Sequence, residues 1–187
     1  MKIDSDLVKE YLGGDQAAMN ELVNRHIKSI YGFVYRLTGL RNEAPDIVQE
    51  VFIKIWKNLK RYDPKQSFKA WMMTIARNTS IDWMRKRRAL SFSDLSNDAE
   101  GEYFEDTLAD STPLAEELFE KEETKNLIEK EIEKLPIPSR EVVLLRHSED
   151  LSFEEIAGAI GKPLNTVKSQ YRRALIRMKE SMHQNKH

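Results

Sequence analysis

The chain lacks cysteine and is sparing with the residues that interrupt helices. Its 187 residues include no Cys, 7 Gly and 6 Pro. The absence of cysteine excludes disulfides and thiolate metal sites and is typical of a reducing compartment. No apolar run reaches the roughly 18 residues that a membrane-spanning helix needs. Charges are spread through the N-terminus, where a signal peptide would have an apolar core. We therefore expect a cytoplasmic protein without membrane insertion.

Net charge is also nearly absent, but the average conceals three unlike blocks. The whole chain carries a formal charge of -1. Residues 1–90 hold 17 Lys+Arg and 10 Asp+Glu, a net charge of +7; residues 91–134 hold 4 and 15, a net charge of -11; residues 135–187 hold 9 and 6, a net charge of +3. An asymmetry of this size indicates separate functional units. We predict two domains, residues 1–90 and 114–187, joined by a flexible acidic linker at 91–113.

The hydrophobic pattern predicts an all-α fold with two small helical domains. Apolar residues recur at helical spacing in both basic blocks, and cap residues divide this pattern into separate helices. In the first domain Asp15 and Ser67 are predicted N-caps, and the apolar stripe of the third helix includes Trp56. In the second domain a long helix is predicted to end at Leu135, and Ser139 is predicted to cap the next one.

The stretch from Leu151 to Glu180 predicts a helix-turn-helix. Ser152 and Glu155 have the spacing of a capping box, and Gly161 permits the left-handed backbone of a tight turn. The second helix carries side chains that suit base edges and phosphates on its outward face: Asn165, Lys168, Ser169, Gln170, Arg172, Arg173 and Arg177. An ordinary surface helix would also carry arginines. The capping box, the turn and the basic face occur together, which favours DNA contact.

Two further surfaces are less decisive when only their residues are considered. The helix that ends near Arg88 has an apolar aromatic face and an opposite polar face with Arg77, Asn78, Arg85, Lys86, Arg87 and Arg88. Basic and aromatic groups together bind single strands, yet a basic run is more often a solvated helix end. The polar edge of the preceding helix suits a partner's helices and equally suits an ordinary amphipathic helix.

Nothing in the sequence indicates catalysis, a metal or a cofactor. The four histidines are far apart. We expect His26, on an apolar helix face, to be a packed core residue, and His183 and His187 to lie in a disordered tail. Metalloprotease, dinucleotide and phosphate-loop motifs are absent. The paired carboxylates of the linker lie on a tether that cannot hold catalytic geometry.

The order of these motifs resembles the bacterial RNA polymerase sigma-70 family, in particular its small extracytoplasmic-function (ECF) group, which keeps only regions 2 and 4. The segments that carry the resemblance are DIVQEVFIKIWKN, SFKAWMMTIARNTSIDWMRKRR and LPIPSREVVLLRHSEDLSFEEIAGAIGKPLNTVKSQYRRALIRM, with an acidic spacer before the last. It covers the chain from about Asp6 to Met182. Several motifs in the expected order make it far more specific than a lone helix-turn-helix.

The resemblance implies a non-enzymatic subunit that binds RNA polymerase core and directs it to promoters. Region 2 would contact the clamp helices of the largest subunit through Asp46, Gln49 and Glu50, and region 4 would contact the flap. Region 2 would also melt the -10 element, with a base pocket that includes Asn78. The implied -10 residues are Tyr62, Lys65, Ser67, Arg77, Asn78, Arg85, Lys86, Arg87 and Arg88. The implied -35 residues of region 4 are Asn165, Thr166, Lys168, Ser169, Gln170, Arg172 and Arg173.

Some parts of this interpretation stay open at the level of sequence. Some relatives carry an aromatic residue in place of Arg172, so the -35 sequence is not fixed. The linker would follow the polymerase channel that later carries RNA. ECF factors commonly have an anti-sigma partner, which this sequence does not name. The alternatives are a stand-alone helix-turn-helix regulator, which would need a dimer helix that the sequence does not offer, and an adaptor, which leaves the basic helix unexplained.

Overall fold

The computed structural model describes residues 2–94 and 127–184 of the chain. Regular structure within these residues is entirely helical, which confirms the predicted all-α class. The elements are α1 (Asp4–Leu12), α2 (Gln16–Thr38), α3 (Ala44–Asn58), a 3-10 turn (Leu59–Arg61), α4 (Phe68–Asp94), α5 (residues 127–133), α6 (Ile137–His147), α7 (Phe153–Ile160) and α8 (Leu164–Gln184). Helices α1 to α4 form the first domain, and helices α5 to α8 form the second.

Helix α2 is the centre of the first domain. It packs against α1, α3 and α4, and its inward side chains Ile30 and Phe33 are completely buried. His26 is buried on the same helix, as predicted for a core histidine, and its Nε2 atom lies 2.9 Å from the carboxylate of Asp4. Burial lowers the pKa of His26 because the charged imidazolium is poorly solvated there. This packing fixes α1 onto the outer side of the domain.

Local capping signals set the starts of α2 and α4, as the sequence predicted. The carboxylate of Asp15 accepts a hydrogen bond from the backbone N–H of Ala17 at 2.9 Å. The hydroxyl of Ser67 accepts one from the N–H of Ala70 at 3.2 Å. Each bond satisfies a backbone donor that has no partner inside its own helix.

The second domain is built around the helix-turn-helix, α7 and α8. The capping box is complete: Glu155 N–H donates to the Ser152 hydroxyl at 3.1 Å, and Ser152 N–H donates to the Glu155 carboxylate at 2.8 Å. Gly161 ends α7 in the left-handed conformation, with φ at 65°. Ile156 and Val167, completely buried on the two sides of this turn, hold α7 and α8 together with α6.

Three predicted helix limits are wrong: the start of α6, the end of α8 and the end of α4. Ser139 does not cap α6, because this helix begins at Ile137 and the N–H of Ser139 already donates to the carbonyl of Pro136 at 2.9 Å. His183 does not lie in a tail, because α8 continues to Gln184. Helix α4 also runs to Asp94, four residues into the predicted linker. The rest of that linker, the start of the predicted long helix and His187 lie outside the described residues.

The two domains pack directly against each other. Helix α4 contacts α7, and α2 contacts α6. This arrangement brings the start of α4 and the middle of α2 against the helix-turn-helix domain. Among the helices within residues 2–94 and 127–184, none combines the length and the apolar character needed to cross a membrane.

The glycines of α7 give a matched test of the turn. Gly158 lies inside the helix with open space around it, whereas Gly161 needs a positive φ that an L-residue adopts only with strain. We expect Gly158→Ala to raise the free energy of unfolding by about 0.5–1 kcal/mol and Gly161→Ala to lower it by about 1–2 kcal/mol. Urea unfolding followed by circular dichroism measures both. Equal effects of the same sign would contradict the left-handed turn.

Candidate functional site

Helix α8 presents a polar, basic face to solvent, opposite three residues that are buried, although Leu175 and Ile176 are also exposed. Val167, Ala174 and Met178 are buried, and they fix the rotation of the helix. Five of the predicted contact residues are exposed: Asn165, Lys168, Ser169, Arg172 and Arg173. Thr166 and Gln170 are half-buried. The Oε1 atom of Gln170 is buried without a hydrogen-bond partner, so this amide is directed toward the protein rather than outward.

Contacts along α8 restrain the side chains that face solvent. Arg173 donates from Nε to the carbonyl of Ser169 at 3.2 Å, and Ser169 donates its hydroxyl to the carbonyl of Thr166 at 3.0 Å. The ammonium group of Lys168 lies 6.0 Å from the ring centroid of Phe153 in α7. Such cation–π contact limits the freedom of a long side chain. The face therefore carries partly ordered donors of the kind that duplex DNA accepts.

A loop and an aromatic cluster lie at the start of α4. The Tyr62 ring is buried. It packs edge-on against Phe68, with 5.2 Å between ring centroids, and at a tilt of 50° against Trp71, with 5.4 Å between centroids. Its hydroxyl donates to the carbonyl of Gln66 at 2.7 Å. Burial raises the pKa of the Tyr62 phenol. Lys65 and Ser67 are exposed. Tyr62 therefore supports the loop from its buried side, while Lys65 and Ser67 lie on its solvent side.

The predicted single-strand residues of α4 are only partly accessible. Asn78 is exposed, but the guanidinium of Arg77 is mostly covered. Arg77 donates from Nε to the carboxylate of Glu141, in the second domain, at 2.8 Å. Its Nη1 atom donates to the amide oxygen of Asn78 at 3.0 Å. No sequence pattern indicates this pairing, because the partner of Arg77 lies 64 positions further along the chain.

The basic run near the end of α4 is open to solvent. All four predicted residues are exposed: Arg85, Lys86, Arg87 and Arg88. Arg85 pairs with Asp82 at 2.6 Å, and Arg87 pairs with Glu43 at 3.0 Å. Exposed pairs of this kind contribute little to stability. The run therefore stays available to phosphate groups.

The three predicted polymerase-contact residues of α3 differ in their exposure and in their hydrogen bonds. Asp46 and Gln49 are exposed. Glu50 is half-buried and accepts hydrogen bonds from Lys54 and from the indole N–H of Trp83, the latter at 2.6 Å. These two hydrogen bonds hold the pKa of the Glu50 carboxyl below its usual value. Asp46 and Gln49 are thus the outward members of this group, and Glu50 is tied to its own domain.

One aromatic residue beside them, Trp56, does not lie where its apolar pattern predicts. Trp56 was predicted in the apolar stripe of α3, but the residue is 56% exposed, and Ile53 is 41% exposed. Asp46, Gln49, Ile53 and Trp56 recur at intervals of three and four residues, so they share one face of α3. That spacing is the signal that could have revealed them. We call this face the α3 outer stripe.

The remaining chemistry of the described residues is limited. Across residues 2–94 and 127–184, no group of three or more His, Cys, Asp or Glu side chains has an arrangement that could hold a metal ion. The exposed groups named above are cations, amides, hydroxyls, the carboxylate of Asp46 and the apolar side chains of Ile53 and Trp56. Such groups bind phosphates, bases and protein surfaces.

Comparison with known proteins decides the family. Residues 22–90 match the family model described as Sigma-70 region 2, and residues 125–178 match the model described as Sigma-70, region 4. The chain is 32% identical to the ECF RNA polymerase sigma factor SigW of Bacillus subtilis, over 89% of each chain. It belongs to the ECF group of the sigma-70 family. This sigma factor functions in transcription initiation. The comparisons favour that function over the alternative of a stand-alone helix-turn-helix regulator.

A second relative agrees with this membership, and two solved structures share the fold. The sigma factor is 34% identical to the ECF RNA polymerase sigma-E factor of Escherichia coli, over 91% of this chain and 90% of that one. Its fold is similar to that of the sigma factor RpoE from Bartonella quintana, solved with the anti-sigma factor NepR, with a TM-score of 0.69 at 23% identity over 88% of this chain and 96% of that one. CnrH, solved with the cytosolic domain of CnrY, gives a TM-score of 0.68 at 23% identity over 96% and 97%.

The hydroxyl of Tyr62 is a defined test of the loop. We expect Tyr62→Phe to lower the free energy of unfolding by about 1 kcal/mol, because it removes one hydrogen bond to a loop carbonyl. It should also speed amide hydrogen exchange between Tyr62 and Phe68. Tyr31→Phe is the matched control, since Tyr31 is 41% exposed, and we expect it to stay within about 0.5 kcal/mol of the original chain. Unchanged exchange in the loop would contradict the positioning role.

Proposed function

We propose that this sigma factor joins RNA polymerase core and directs it to promoters through two separate DNA contacts. The observation that carries the proposal is the exposed basic face of α8, set by the buried residues behind it and by the turn before it. The first domain supplies the second contact. The polymerase performs the chemistry, so the sigma factor acts as a non-catalytic subunit in the cytoplasm, where the polymerase works.

The -35 contact belongs to α8. Its exposed residues, Asn165, Lys168, Ser169, Arg172 and Arg173, face away from the protein and are of types that bind base edges and phosphates in the major groove. Thr166 and Gln170 are half-buried and lie at the edge of this face. Arg173 is the best candidate for a base contact. Its Nε donates to the carbonyl of Ser169, and this hydrogen bond holds the side chain along the exposed surface of the helix.

The -10 contact belongs to the loop between the 3-10 turn and α4 and to α4 itself. Asn78 would bind the exposed edge of an unstacked base, and the loop shaped by Tyr62 would form the wall of the pocket, with Lys65 and Ser67 at its rim. Arg77 and the run Arg85, Lys86, Arg87 and Arg88 would bind the neighbouring phosphates. A separated strand suits this arrangement because its bases are free to leave the stack.

The contact with core polymerase belongs to the α3 outer stripe. Asp46 and Gln49 supply polar groups, while Ile53 and Trp56 supply exposed apolar area. Tryptophan is frequent among the residues that dominate binding energy at protein interfaces. Glu50 would act at the edge of this contact. The partner surface that we expect is the pair of clamp helices in the largest subunit, with the flap contacting the second domain.

An anti-sigma protein is the remaining partner in this proposal. RpoE of Bartonella quintana was solved in complex with the anti-sigma factor NepR. We extend a partner of that class to this chain on the strength of its membership in the same family.

Transcription with purified core polymerase tests the function as a whole. Reactions on genomic DNA fragments are run with and without the sigma factor, and start sites are mapped. New start sites that share a -35 and a -10 sequence support the proposal. Their absence, with polymerase that is active alongside another sigma factor, would count against it.

The -35 assignment can be tested at Arg173. We expect Arg173→Ala to weaken binding to the mapped -35 duplex by about 1–3 kcal/mol and to relax the preference at one base pair. Arg177→Ala, one turn further along the same exposed face, is the matched control and should weaken binding less and without change of preference. Titrations by fluorescence anisotropy at fixed salt measure both. A uniform loss in Arg173→Ala would identify a phosphate contact instead.

The -10 assignment can be tested at Asn78. We expect Asn78→Ala to weaken binding of the mapped single-stranded -10 oligonucleotide by about 1–3 kcal/mol, because a base edge loses its partner. Binding to the -35 duplex should be unchanged, which makes the second domain an internal control. Equal affinity of both chains for the single strand would show that Asn78 is not in the base pocket.

A further inference from the structure

The carboxylate of Asp4 holds the start of α1 to the middle of α2. Its Oδ1 atom accepts from Nη1 of Arg25 at 2.5 Å, and its Oδ2 atom lies 2.9 Å from Nε2 of His26. An ionised carboxylate only accepts hydrogen bonds, so the imidazole donates through Nε2. Asp4 therefore binds two consecutive side chains of α2 and fixes the orientation of the buried His26 ring.

The His26 ring also contacts the first residue of α4, Phe68. The centroids of these two rings lie 5.8 Å apart, and the rings are tilted by 53°. Phe68 in turn contacts Tyr62 at 5.2 Å and Trp71 at 5.7 Å between centroids. Tilted and edge-on ring pairs at such distances attract each other. Contacts thus run without a gap from Asp4 to Phe68 and Tyr62, the two ends of the loop that we assign to the -10 strand.

A small void beside these rings leaves Phe68 incompletely packed. Its volume is about 10 Å³, and it is bordered by His26, Phe68 and apolar side chains of α2, α3 and α4. A side chain that borders a void has no partner atoms on that side and loses the attraction that they would supply. The contact with the His26 ring therefore has a larger share in fixing the position of Phe68.

The charge of the same carboxylate also acts on the phenol at the start of the loop. Burial raises the pKa of the Tyr62 phenol, and the negative charge of Asp4 raises it further, because a second anion nearby is disfavoured. The Tyr62 hydroxyl stays protonated and donates to the carbonyl of Gln66 at 2.7 Å. Asp4 therefore acts on both ends of the loop, on one through the His26 ring and on the other through its charge.

We propose that Asp4 and His26 position the -10 base pocket: through the His26 ring they hold Phe68, and with it the loop that begins at Tyr62, in the form that accepts an unstacked base. This inference rests on the -10 assignment made above. A loop that is already held in its binding form loses less conformational entropy when the strand binds. Helix α1 then has a role in DNA recognition, although Asp4 and His26 act through the loop and do not touch the strand.

Acid should weaken this arrangement, because burial lowers the pKa of His26. Asp4 acts against that shift, whereas the cations Arg25 of α2 and Lys69 of α4 add to it, and α3 contributes apolar side chains to the void beside the ring. A proton therefore binds the ring more readily once the ring has left its packed place. The stabilisation by His26 is complete above the ordinary imidazole pKa of about 6.5, and it is lost as the pH falls through the lower pKa of the packed ring.

The first test removes the carboxylate. Asp4→Ala deprives Arg25 and His26 of the acceptor that they share. Asp6→Ala is the matched control, because Asp6 is an exposed carboxylate in the same turn of α1 and interacts equally with the helix dipole. Asp4→Glu is the conservative variant, since it keeps a carboxylate that can accept from both partners. Circular dichroism confirms that each full-length variant is folded.

The measurements are amide hydrogen exchange between Tyr62 and Phe68 and the affinity for labelled oligonucleotides of random sequence, at about pH 7.5 and one salt concentration. We expect Asp4→Ala to speed exchange in the loop and to weaken binding of the single-stranded pool by about three- to tenfold, because the loop then leaves its binding form in most chains. Affinity for the same pool as duplex should change by less than about twofold, because α8 is untouched. Asp6→Ala should match the original chain, and Asp4→Glu should recover part of the loss.

The second test is a pH profile, which a purely structural role of His26 would not produce in a folded chain. His26→Gln keeps a donor for Asp4 but cannot take up a proton. His26 is the one histidine among residues 1–94, and the histidines beyond this range are the same in both chains. We expect the ratio of single-strand affinities, the original chain over His26→Gln, to fall about threefold between about pH 7.5 and about pH 5.5. Circular dichroism at each pH confirms folding.

The outcomes that overturn this inference can be told apart from failure of the proposed function. Equal loop exchange in Asp4→Ala and Asp6→Ala would show that Asp4 does not position the loop. Faster exchange without loss of single-strand affinity, in a chain that binds single strands before substitution, would show that the positioned loop does not serve the pocket. A ratio that is independent of pH would show that the His26 ring does not transmit the effect. If the original chain bound no single strand, the -10 assignment would be wrong, and the inference would be overturned with it.

Discussion

A carboxylate that leaves water must be paired, and this constraint sets how the two domains meet. Glu141 and Glu149 are among the most deeply buried side chains of the described protein. Three of their partners, Arg77, Ser29 and Lys69, come from the first domain, and Lys162 of the second domain also lies close to Glu141. Pairing inside a low-dielectric interface demands good geometry, since hydrophobic contact alone would not fix the orientation of the surfaces. The charges therefore select one arrangement of the two domains among the many that apolar packing would accept.

Helix α4 brings the functions of the first domain together. Its inward face supplies Met72, Met73 and Ala76 to the core. Its outward face carries the donors that we assign to DNA, and one of them is bound by the second domain. A single rigid helix thus links core stability, domain closure and nucleic-acid contact.

Features determined by neighbouring residues could be predicted from the sequence. The caps at Asp15 and Ser152 and the turn at Gly161 depend on contacts within a few positions, and the structure confirms them. Of two wrong predictions, one has a tertiary cause and the other a local one. Trp56 fits the apolar pattern of α3, but the rotation of that helix leaves it exposed. Ser139 is a good capping residue, but the prolines beside it start α6 two residues earlier.

The pairing of Arg77 was beyond any pattern in the sequence. Charge counts describe segments, and the acidic segment of this chain is residues 91–134. The carboxylate that pairs with Arg77 comes instead from the block with a net charge of +3. One small domain can therefore carry both a basic surface and buried acids. The basic residues of α8 face solvent, whereas Glu141 and Glu149 face the first domain. Net charge sets the long-range attraction to DNA. Whether an individual cation such as Arg77 is available for that contact depends on whether a buried carboxylate already pairs with it.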